Sequence, residues 1–308
     1  MDLARRMIAA AAGAGADAVK FQTFQAIDLA LPGAEHFTQV ACGELGEEQH
    51  RLLAAAASEA GVDFLSTPFS VQAVELLERV GVPAFKIASM DLTNFPLLAR
   101  AAVTGKPLLV STGMARVDEI RQTLDFLRAR KAERVAFLHC VSKYPADASE
   151  LNLDAVRRLS AELGVSVGYS DHHPGVKACL AAGMLGAAVI ETHFTLDTAW
   201  PGGDHGHSAD PSMLAELVRD LALFHGMRGS EGFFDQRPDR TAAALFRRGL
   251  YAACDLPAGH VIAAADLLTC RPVSELGPND VADLVGLPLR REVKAFAPLK
   301  RGDFRSAA

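Results

Sequence analysis

The sequence has few cysteines, and none of them is paired in a Cys-x-x-C spacing. The five are odd in number and scattered: Cys42, Cys140, Cys179, Cys254 and Cys270. This pattern argues against a disulfide framework and against a zinc knuckle, and it predicts a reduced, cytoplasmic location. Cys140 follows His139 at the end of an apolar run, but a buried free cysteine is a more common outcome than a nucleophile.

A basic surface and a long apolar segment are also missing from the sequence. The net charge is −6, with acidic and basic residues interspersed, which excludes a basic stripe for nucleic acid or an anionic membrane. The longest apolar stretch, 178–190, is too short and too rich in Gly and Ala to span a bilayer. Arg5-Arg6 and the alanine-rich run that follows them resemble a signal peptide, but the run lacks the bulky apolar residues that a signal peptide needs. We therefore expect a small-molecule ligand, without nucleic acid or membrane partners.

What the sequence does contain is a repeated pattern of short apolar runs that end in polar residues. A stretch long enough for a helix precedes or follows each run, so strands and helices alternate and predict an α/β fold with a parallel sheet. Polar residues at the carboxyl end of every strand are typical of a (β/α)8 TIM barrel, whose active site lies at that rim. The seven runs are 18–23, 64–67, 85–89, 108–112, 137–140, 167–172 and 189–193.

A closed barrel of this kind needs eight strands, and residues 2–14 before the first run have a helical pattern. The prediction is therefore a TIM barrel that lacks its first strand in this sequence. Near residue 246 the alternation of strand and helix patterns ends. It is followed by short strand-like runs interrupted by Pro-Ala-Gly, Gly-Pro-Asn-Asp and Arg-Gly-Asp. We predict a barrel domain over 1–232, a linker over 233–245 and a small β-rich domain over 246–308.

Two histidines are placed by strand alternation at the predicted rim. Ser170 and His172 share one face of their strand, Glu191 and His193 share one face of the next, and neighbouring strands lie roughly 5 Å apart. His172 and His193 therefore form a candidate site for Mn or Mg, the alternative being a hydrogen-bonded histidine without metal. Ser170-Asp171-His172 is not a hydrolytic triad, because adjacent strand residues point apart.

Lys20 and Lys86 lie inside apolar strands, where an ammonium group is costly unless an anion meets it. A set of hydroxyl and amide donors at the strand ends completes a rim suited to phosphate and carboxylate groups. A lysine Schiff base is the competing interpretation, but two lysines with many hydroxyls favour anion binding. The donors are Gln22, Thr67, Ser89, Ser111 and Ser170.

The strand ends carry a series of short motifs, in this order: Lys20-Phe21-Gln22-Thr23, Ser66-Thr67-Pro68-Phe69, Lys86-Ile87-Ala88-Ser89, Ser111-Thr112-Gly113-Met114, His139-Cys140, Tyr144-Pro145, Ser170-Asp171-His172 and Glu191-Thr192-His193. These motifs, in this order, resemble those of the sialic acid synthases. Arg247-Arg248, Pro257-Ala258-Gly259 and Arg271-Pro272 resemble the family's antifreeze-like SAF domain, a β-clip.

The resemblance implies a transferase that condenses phosphoenolpyruvate with an N-acylated hexosamine, such as N-acetylmannosamine, and releases phosphate. It implies a divalent cation on His172 and His193, and a domain-exchanged homodimer in which Arg271 reaches the partner's sugar site. The implied phosphoenolpyruvate ligands are Lys20, Gln22, Thr67, Lys86, Ser89, Ser111 and Ser170. The implied sugar contacts are Ser142, Tyr144, Asp204 and Arg271, and the implied catalytic residues are Asp91, Tyr144 and Glu191.

Several departures from the family pattern leave other interpretations open. The family's first-strand glutamate is absent from this sequence, so we expect a start site further upstream, with a truncated, non-catalytic paralogue as the alternative. Ser142 replaces a frequent asparagine, Asp91 replaces a common glutamate, and the loop 203–208 lacks a frequent basic residue. A phosphoenolpyruvate-dependent synthase that acts on another aldose is therefore a further alternative.

Overall fold

The computed structural model describes residues 1–229 and 239–305 of the chain. The chain divides into two compact units, Met1–Arg228 and Gly229–Ala308. Residues 233–238 of the predicted linker lie outside the described residues. The predicted domain bounds stay a prediction.

Seven parallel strands form the sheet of the first unit, at the positions of the seven apolar runs. Each strand pairs with the next along the chain, so the sheet order is the chain order. The α/β class is confirmed, whereas the missing eighth strand stays a prediction. The strands are β1 (Ala18–Thr23), β2 (Asp63–Pro68), β3 (Phe85–Ile87), β4 (Leu108–Ser111), β5 (Val135–Cys140), β6 (Ser166–Asp171) and β7 (Ile190–Thr192).

The sheet is curled, and an ion pair between its first and last strands demonstrates this. Lys20 Nζ of β1 lies 3.3 Å from Glu191 Oε1 of β7. In a flat sheet these strands would be six spacings apart, roughly 29 Å, far beyond the combined reach of the two side chains. The sheet therefore curves as in a barrel, and one face becomes an interior.

Helices cover the outer face of the curled sheet. Apolar residues of alternate strand positions, including Phe64, Phe85, Val110 and Phe137, are buried there in one core cluster. The helices are α1 (Asp2–Gly13), α2 (Ala26–Leu29), α3 (Phe37–Ala41), α4 (Glu47–Ala60), α5 (Val71–Val80), α6 (Phe95–Val103), α7 (Val117–Ala129), α8 (Ala155–Leu163), α9 (Lys177–Met184) and α10 (Pro211–Arg228). None of the described helices is long and apolar enough to cross a membrane.

The last helix of the first unit, α10, continues through Gly226 to Arg228. Gly226 is accommodated inside the helix, where glycine costs only about 1 kcal/mol. Gly229, with φ +67°, follows directly where the helix stops. At the other end the Asp210 carboxylate accepts a hydrogen bond from Met213 N at 2.8 Å, so Asp210 caps the helix.

The second unit is built from short strands around a small core. After α11 (Ala243–Phe246), β8 (Gly249–Ala252) pairs antiparallel with β9 (Leu267–Cys270), and α12 (Val281–Leu284) follows. Among the described residues of this unit, three one-turn helices end in an aspartate whose carboxylate accepts a hydrogen bond from the backbone N–H three residues earlier. The pairs are Ala263 with Asp266, Gly277 with Asp280 and Lys300 with Asp303.

Gly168 of β6 provides a test of the close packing between neighbouring strands of the sheet. A Cβ there would overlap Val189 O and lie 2.6 Å from Leu138 Cδ2. We expect Gly168→Ala to destabilise the protein by about 1–3 kcal/mol, as overpacking does. The measurement is the midpoint of thermal unfolding.

Gly13→Ala is the matched control, because a Cβ at this position would meet nothing within 4 Å and the residue ends a helix. This variant should be neutral or slightly stabilising. Equal unfolding midpoints for the two variants would contradict the tight packing inferred at Gly168.

Candidate active site

The strand register places most of the predicted site residues on the inner face of the curled sheet. Lys20 pairs with Leu65 and Gln22 with Thr67, while Phe21 between them packs in the outer core. Ser170 pairs with both Cys140 and Glu191. Since side chains alternate along a strand, one interior collects the predicted anion ligands. They are Lys20, Gln22, Thr67, Lys86, Ser111 and Ser170.

Other polar residues at the same strand ends face outward and have partners there. Thr23 Oγ1 lies 2.7 Å from both His50 Nε2 and Ser66 Oγ. Asp171 accepts hydrogen bonds from Tyr169 Oη at 2.8 Å and from His173 N at 2.9 Å. Asp171 therefore cannot orient His172, and the exclusion of a hydrolytic triad agrees with this geometry.

Glu191 is the centre of the interior. Its two carboxylate oxygens lie 3.3 Å from Lys20 Nζ and 3.4 Å from Lys86 Nζ, and Ser170 adds a side-chain hydrogen bond. Burial by itself raises the pKa of Glu191, but the charges of Lys86 and then Lys20 outweigh burial and hold that pKa well below its usual range. The carboxylate is therefore ionised at neutral pH.

Lys86 is buried, with 5% of its surface exposed, and Nζ also donates to Ile87 O at 3.2 Å. Burial lowers the pKa of Lys86, and Glu191 opposes this shift. In this structure both lysines form ion pairs with the Glu191 carboxylate, and these pairs offset the desolvation free energy of placing two ammonium groups inside the sheet.

Ser111 and Ser89 differ in how their hydroxyls are used. Ser111 Oγ is buried and has no hydrogen-bond partner among the described residues. Ser89 Oγ accepts a hydrogen bond from Gly113 N at 3.0 Å and lies 3.7 Å from Cys140 Sγ. Burial raises the pKa of Cys140, so the residue is a thiol and not an activated nucleophile.

A cluster of aromatic and imidazole rings lies beyond the lysines, at the rim. The ring centroids of His172 and His193 are 5.1 Å apart, and Tyr144 lies 4.0 Å from His172 and 6.0 Å from His193. The sequence therefore correctly predicted that these two histidines come together. Burial raises the pKa of Tyr144 to about 12, which keeps its hydroxyl protonated and able to donate.

The environment of His172 and His193 favours the neutral form of both imidazoles. His172 Nδ1 lies 2.7 Å from Val141 O, a geometry in which Nδ1–H donates and Nε2 keeps its lone pair. Burial lowers the pKa of His172. Burial, followed by the charge of Lys20, lowers the pKa of His193 to about 4. Unprotonated imidazoles of this kind are the form that binds divalent metals.

The loop after β7 brings two further groups to the rim. Asp204 Oδ2 lies 3.7 Å from His193 Nδ1, and Asp204 Oδ1 lies 3.8 Å from His207 Nε2. Ligand atoms of His193, Asp204 and His207 all lie within 4.8 Å of one another. His207 was not among the site residues predicted from the sequence. The available signal was the His-x-His spacing of 205–207 directly after Asp204.

Three predicted site residues lie outside this group of contacts. Asp91, in a short 3-10 helix after β3, has one carboxylate oxygen bound to Asn94 Nδ2 at 2.8 Å and the other buried without a partner in the described structure. Burial raises its pKa. Ser142 follows β5 and touches the position where Gly113 would carry a side chain. Arg271 belongs to the second unit, where its guanidinium lies 5.4 Å from the Phe246 ring.

Comparisons with known proteins agree with the motifs. The NeuB family model matches residues 7–232, and the SAF domain model matches residues 247–305. An N,N'-diacetyllegionaminic acid synthase from Legionella pneumophila is 34% identical over 97% of this chain and 89% of its own length. Human N-acetylneuraminate-9-phosphate synthase is 32% identical over 93% of this chain and 84% of its own length.

A solved structure extends this similarity to the fold. The N-acetylneuraminic acid synthetase from Leptospira borgpetersenii is 33% identical, with a TM-score of 0.73 over 78% of this chain and 86% of that protein.

Replacing Glu191 tests its role between the two lysines. Glu191→Gln leaves two ammonium groups facing each other inside the sheet. We expect a loss of about 2–3 kcal/mol, less than the 3–5 for a fully buried pair, because 19% of the Glu191 side chain is exposed. The measurement is denaturant unfolding at pH 7.

The control is Glu162→Gln, which removes an exposed ion pair with Arg158 and should leave the free energy of unfolding almost unchanged. Because the pKa of Glu191 is lowered on folding, the wild-type advantage should be full above the usual glutamate pKa of about 4.3 and shrink at lower pH. A Glu191→Gln variant as stable as wild type at pH 7 would contradict the assignment.

Proposed function

The chain belongs to the NeuB family, and on that premise we propose that it is a nonulosonic acid synthase that condenses phosphoenolpyruvate with an N-acylated hexosamine and releases phosphate. The observation that carries the proposal is the juxtaposition at one rim of a cationic pocket around Lys20 and Lys86 and a group of neutral imidazoles. The first suits an anionic substrate, and the second suits a divalent cation that activates an aldehyde.

Phosphoenolpyruvate would bind to the lysine side of the rim. Lys20 and Lys86 share the single carboxylate of Glu191, so the three side chains together carry a net positive charge. This charge can attract the phosphate or the carboxylate of the substrate. The unpartnered Ser111 hydroxyl offers a donor there without breaking an existing hydrogen bond. We propose that the remaining predicted ligands, Gln22, Thr67, Ser89 and Ser170, complete this site.

The residues at the imidazole side fit a divalent cation. His172 keeps Nε2 free, while His193, Asp204 and His207 offer ligand atoms close together. Such a cation would supply Lewis-acid polarisation of the acceptor's aldehyde. We propose that Mn or Mg is held by His172 and His193 at least.

The remaining groups orient the acceptor and balance charge during the reaction. The protonated hydroxyl of Tyr144 and the exposed carboxylate of Asp204 lie near His193 and would contact the sugar, joined by Ser142 from the segment after β5. Asp91, in the segment after β3, stays a proposed catalytic residue. As the C2=C3 π electrons of phosphoenolpyruvate form a bond from C3 to the aldehyde carbon, the aldehyde C=O π bond breaks onto its oxygen, which takes up a proton, and positive charge develops at C2. The ionised Glu191 carboxylate would stabilise that charge. Water then adds to C2 with loss of a proton, and the C2–O bond breaks to release phosphate and leave a ketone.

The direct test is phosphate release from phosphoenolpyruvate in the presence of Mn and N-acetylmannosamine. A panel of other N-acylated hexosamines and of simple aldoses identifies the acceptor. We expect turnover with one or more of the hexosamines, and His193→Ala should lower kcat by roughly 100-fold or more. Turnover with a simple aldose alone would support the synthase of another aldose, and no turnover with any acceptor would support the non-catalytic paralogue.

Ser111→Ala tests the phosphoenolpyruvate side separately. Because Ser111 Oγ has no partner in the described structure, stability should not fall. We expect KM for phosphoenolpyruvate to rise about 10-fold or more, as expected for loss of a hydrogen bond to a charged group. Steady-state kinetics with the acceptor held at saturation give this value.

The matched control is Ser66→Ala, a buried strand serine that faces the outer core and bonds to Thr23 at 2.7 Å. It should lower stability and leave KM unchanged. The assignment of Ser111 fails if both variants have the wild-type KM.

A further inference from the structure

His207 is a buried imidazole that the predicted site did not use. It is 3% exposed, and its Nε2 atom has no hydrogen-bond partner among the described residues. An unpaired polar atom in such a position costs free energy unless a ligand meets it. The neighbours of this atom indicate what the ligand is.

The groups around the ring of His207 suit a cation. Its centroid lies 5.1 Å from that of His193 and 5.8 Å from that of Tyr144, and Nε2 lies 3.8 Å from Asp204 Oδ1. That last distance is too long for a hydrogen bond. A metal ion bound at about 2.1 Å would hold two ligand atoms at most about 4.2 Å apart. The 4.8 Å spread among His193, Asp204 and His207 therefore needs only a small side-chain adjustment.

The backbone fixes His207 beside β7. Ala209 N donates to His193 O at 2.8 Å, and Thr195 N donates to Ala209 O at 3.0 Å. Within the loop, Ser208 Oγ donates to Asp204 O at 2.7 Å. These hydrogen bonds hold the end of the loop beside the segment that follows β7, so the side chains of His193 and His207 lie next to each other.

We propose that His207 is an additional ligand of the divalent cation, so that imidazoles outnumber carboxylates in the site. Imidazole nitrogen binds transition metals well, whereas Mg²⁺ favours carboxylate, carbonyl and water oxygens. This inference rests on the cation site of the proposed function. It extends that site beyond the pair His172 and His193.

The experiment measures metal binding without substrate, on the full chain freed of metal by a chelator. Mn²⁺ affinity is measured by electron paramagnetic resonance, and Mg²⁺ is added as a competitor. His207→Phe keeps a buried ring but removes the nitrogen, and His207→Gln gives a second variant if the first does not fold. We expect Kd for Mn²⁺ to rise about 10-fold or more, and the preference for Mn²⁺ over Mg²⁺ to fall.

His205→Asn is the matched control. His205 lies two positions away in the same turn, its Nδ1 is within 2.8 Å of Thr195 Oγ1, and an amide can keep that hydrogen bond. Its Mn²⁺ affinity should equal that of wild type. Variants of His207 with wild-type affinity and selectivity would overturn the inference, as would a wild-type chain that binds no Mn²⁺.

Phosphate release separates this inference from the proposed function. Turnover by wild type with unchanged Mn²⁺ binding in the His207 variants would leave the synthase standing and refute the ligand role. Weakened Mn²⁺ binding in these variants, in a chain without turnover, would support the ligand role and refute the synthase.

Discussion

The ion pairs of Glu191 hold together the interior on which the rest of the site depends. Its carboxylate, on β7, meets lysines from β1 and β3, so one side chain links the two outermost strands of the sheet to a third. The arrangement also makes two ammonium groups tolerable inside a protein, because each has a counter-charge within salt-bridge distance. A pocket of net positive charge results at the carboxyl ends of the strands.

The curvature of the sheet also brings the imidazoles next to this pocket. His172 and His193 follow neighbouring strands, and the loop that returns to β7 adds Asp204 and His207. Cationic side chains and a group of imidazoles therefore lie on adjacent parts of one rim, which is the arrangement that the proposed reaction needs. Burial keeps the imidazoles unprotonated and the Tyr144 hydroxyl protonated, so each group is in the form its proposed role needs.

Alternation along the strands explains why some polar residues at the rim serve this site and others do not. Thr23, Ser66 and Asp171 end the same strands as Gln22, Thr67 and His172, yet they face the helices and bind to groups there. A shift of one residue in register would exchange the two sets. The cost of burying Lys86 toward the apolar helices opposes such a shift.

The sequence by itself determined the seven strands and their parallel arrangement, because short apolar runs that alternate with helical stretches depend on local residue choice. It also determined that His172 and His193 meet, since consecutive parallel strands are neighbours. It did not identify Glu191 as the partner of both lysines, which depends on how far the sheet curls. Nor did it identify His207, because only the backbone bonds of the loop after β7 decide where that ring lies. Contacts between strands distant in the chain, and the course of loops, are set by packing of the whole unit and not by any local pattern.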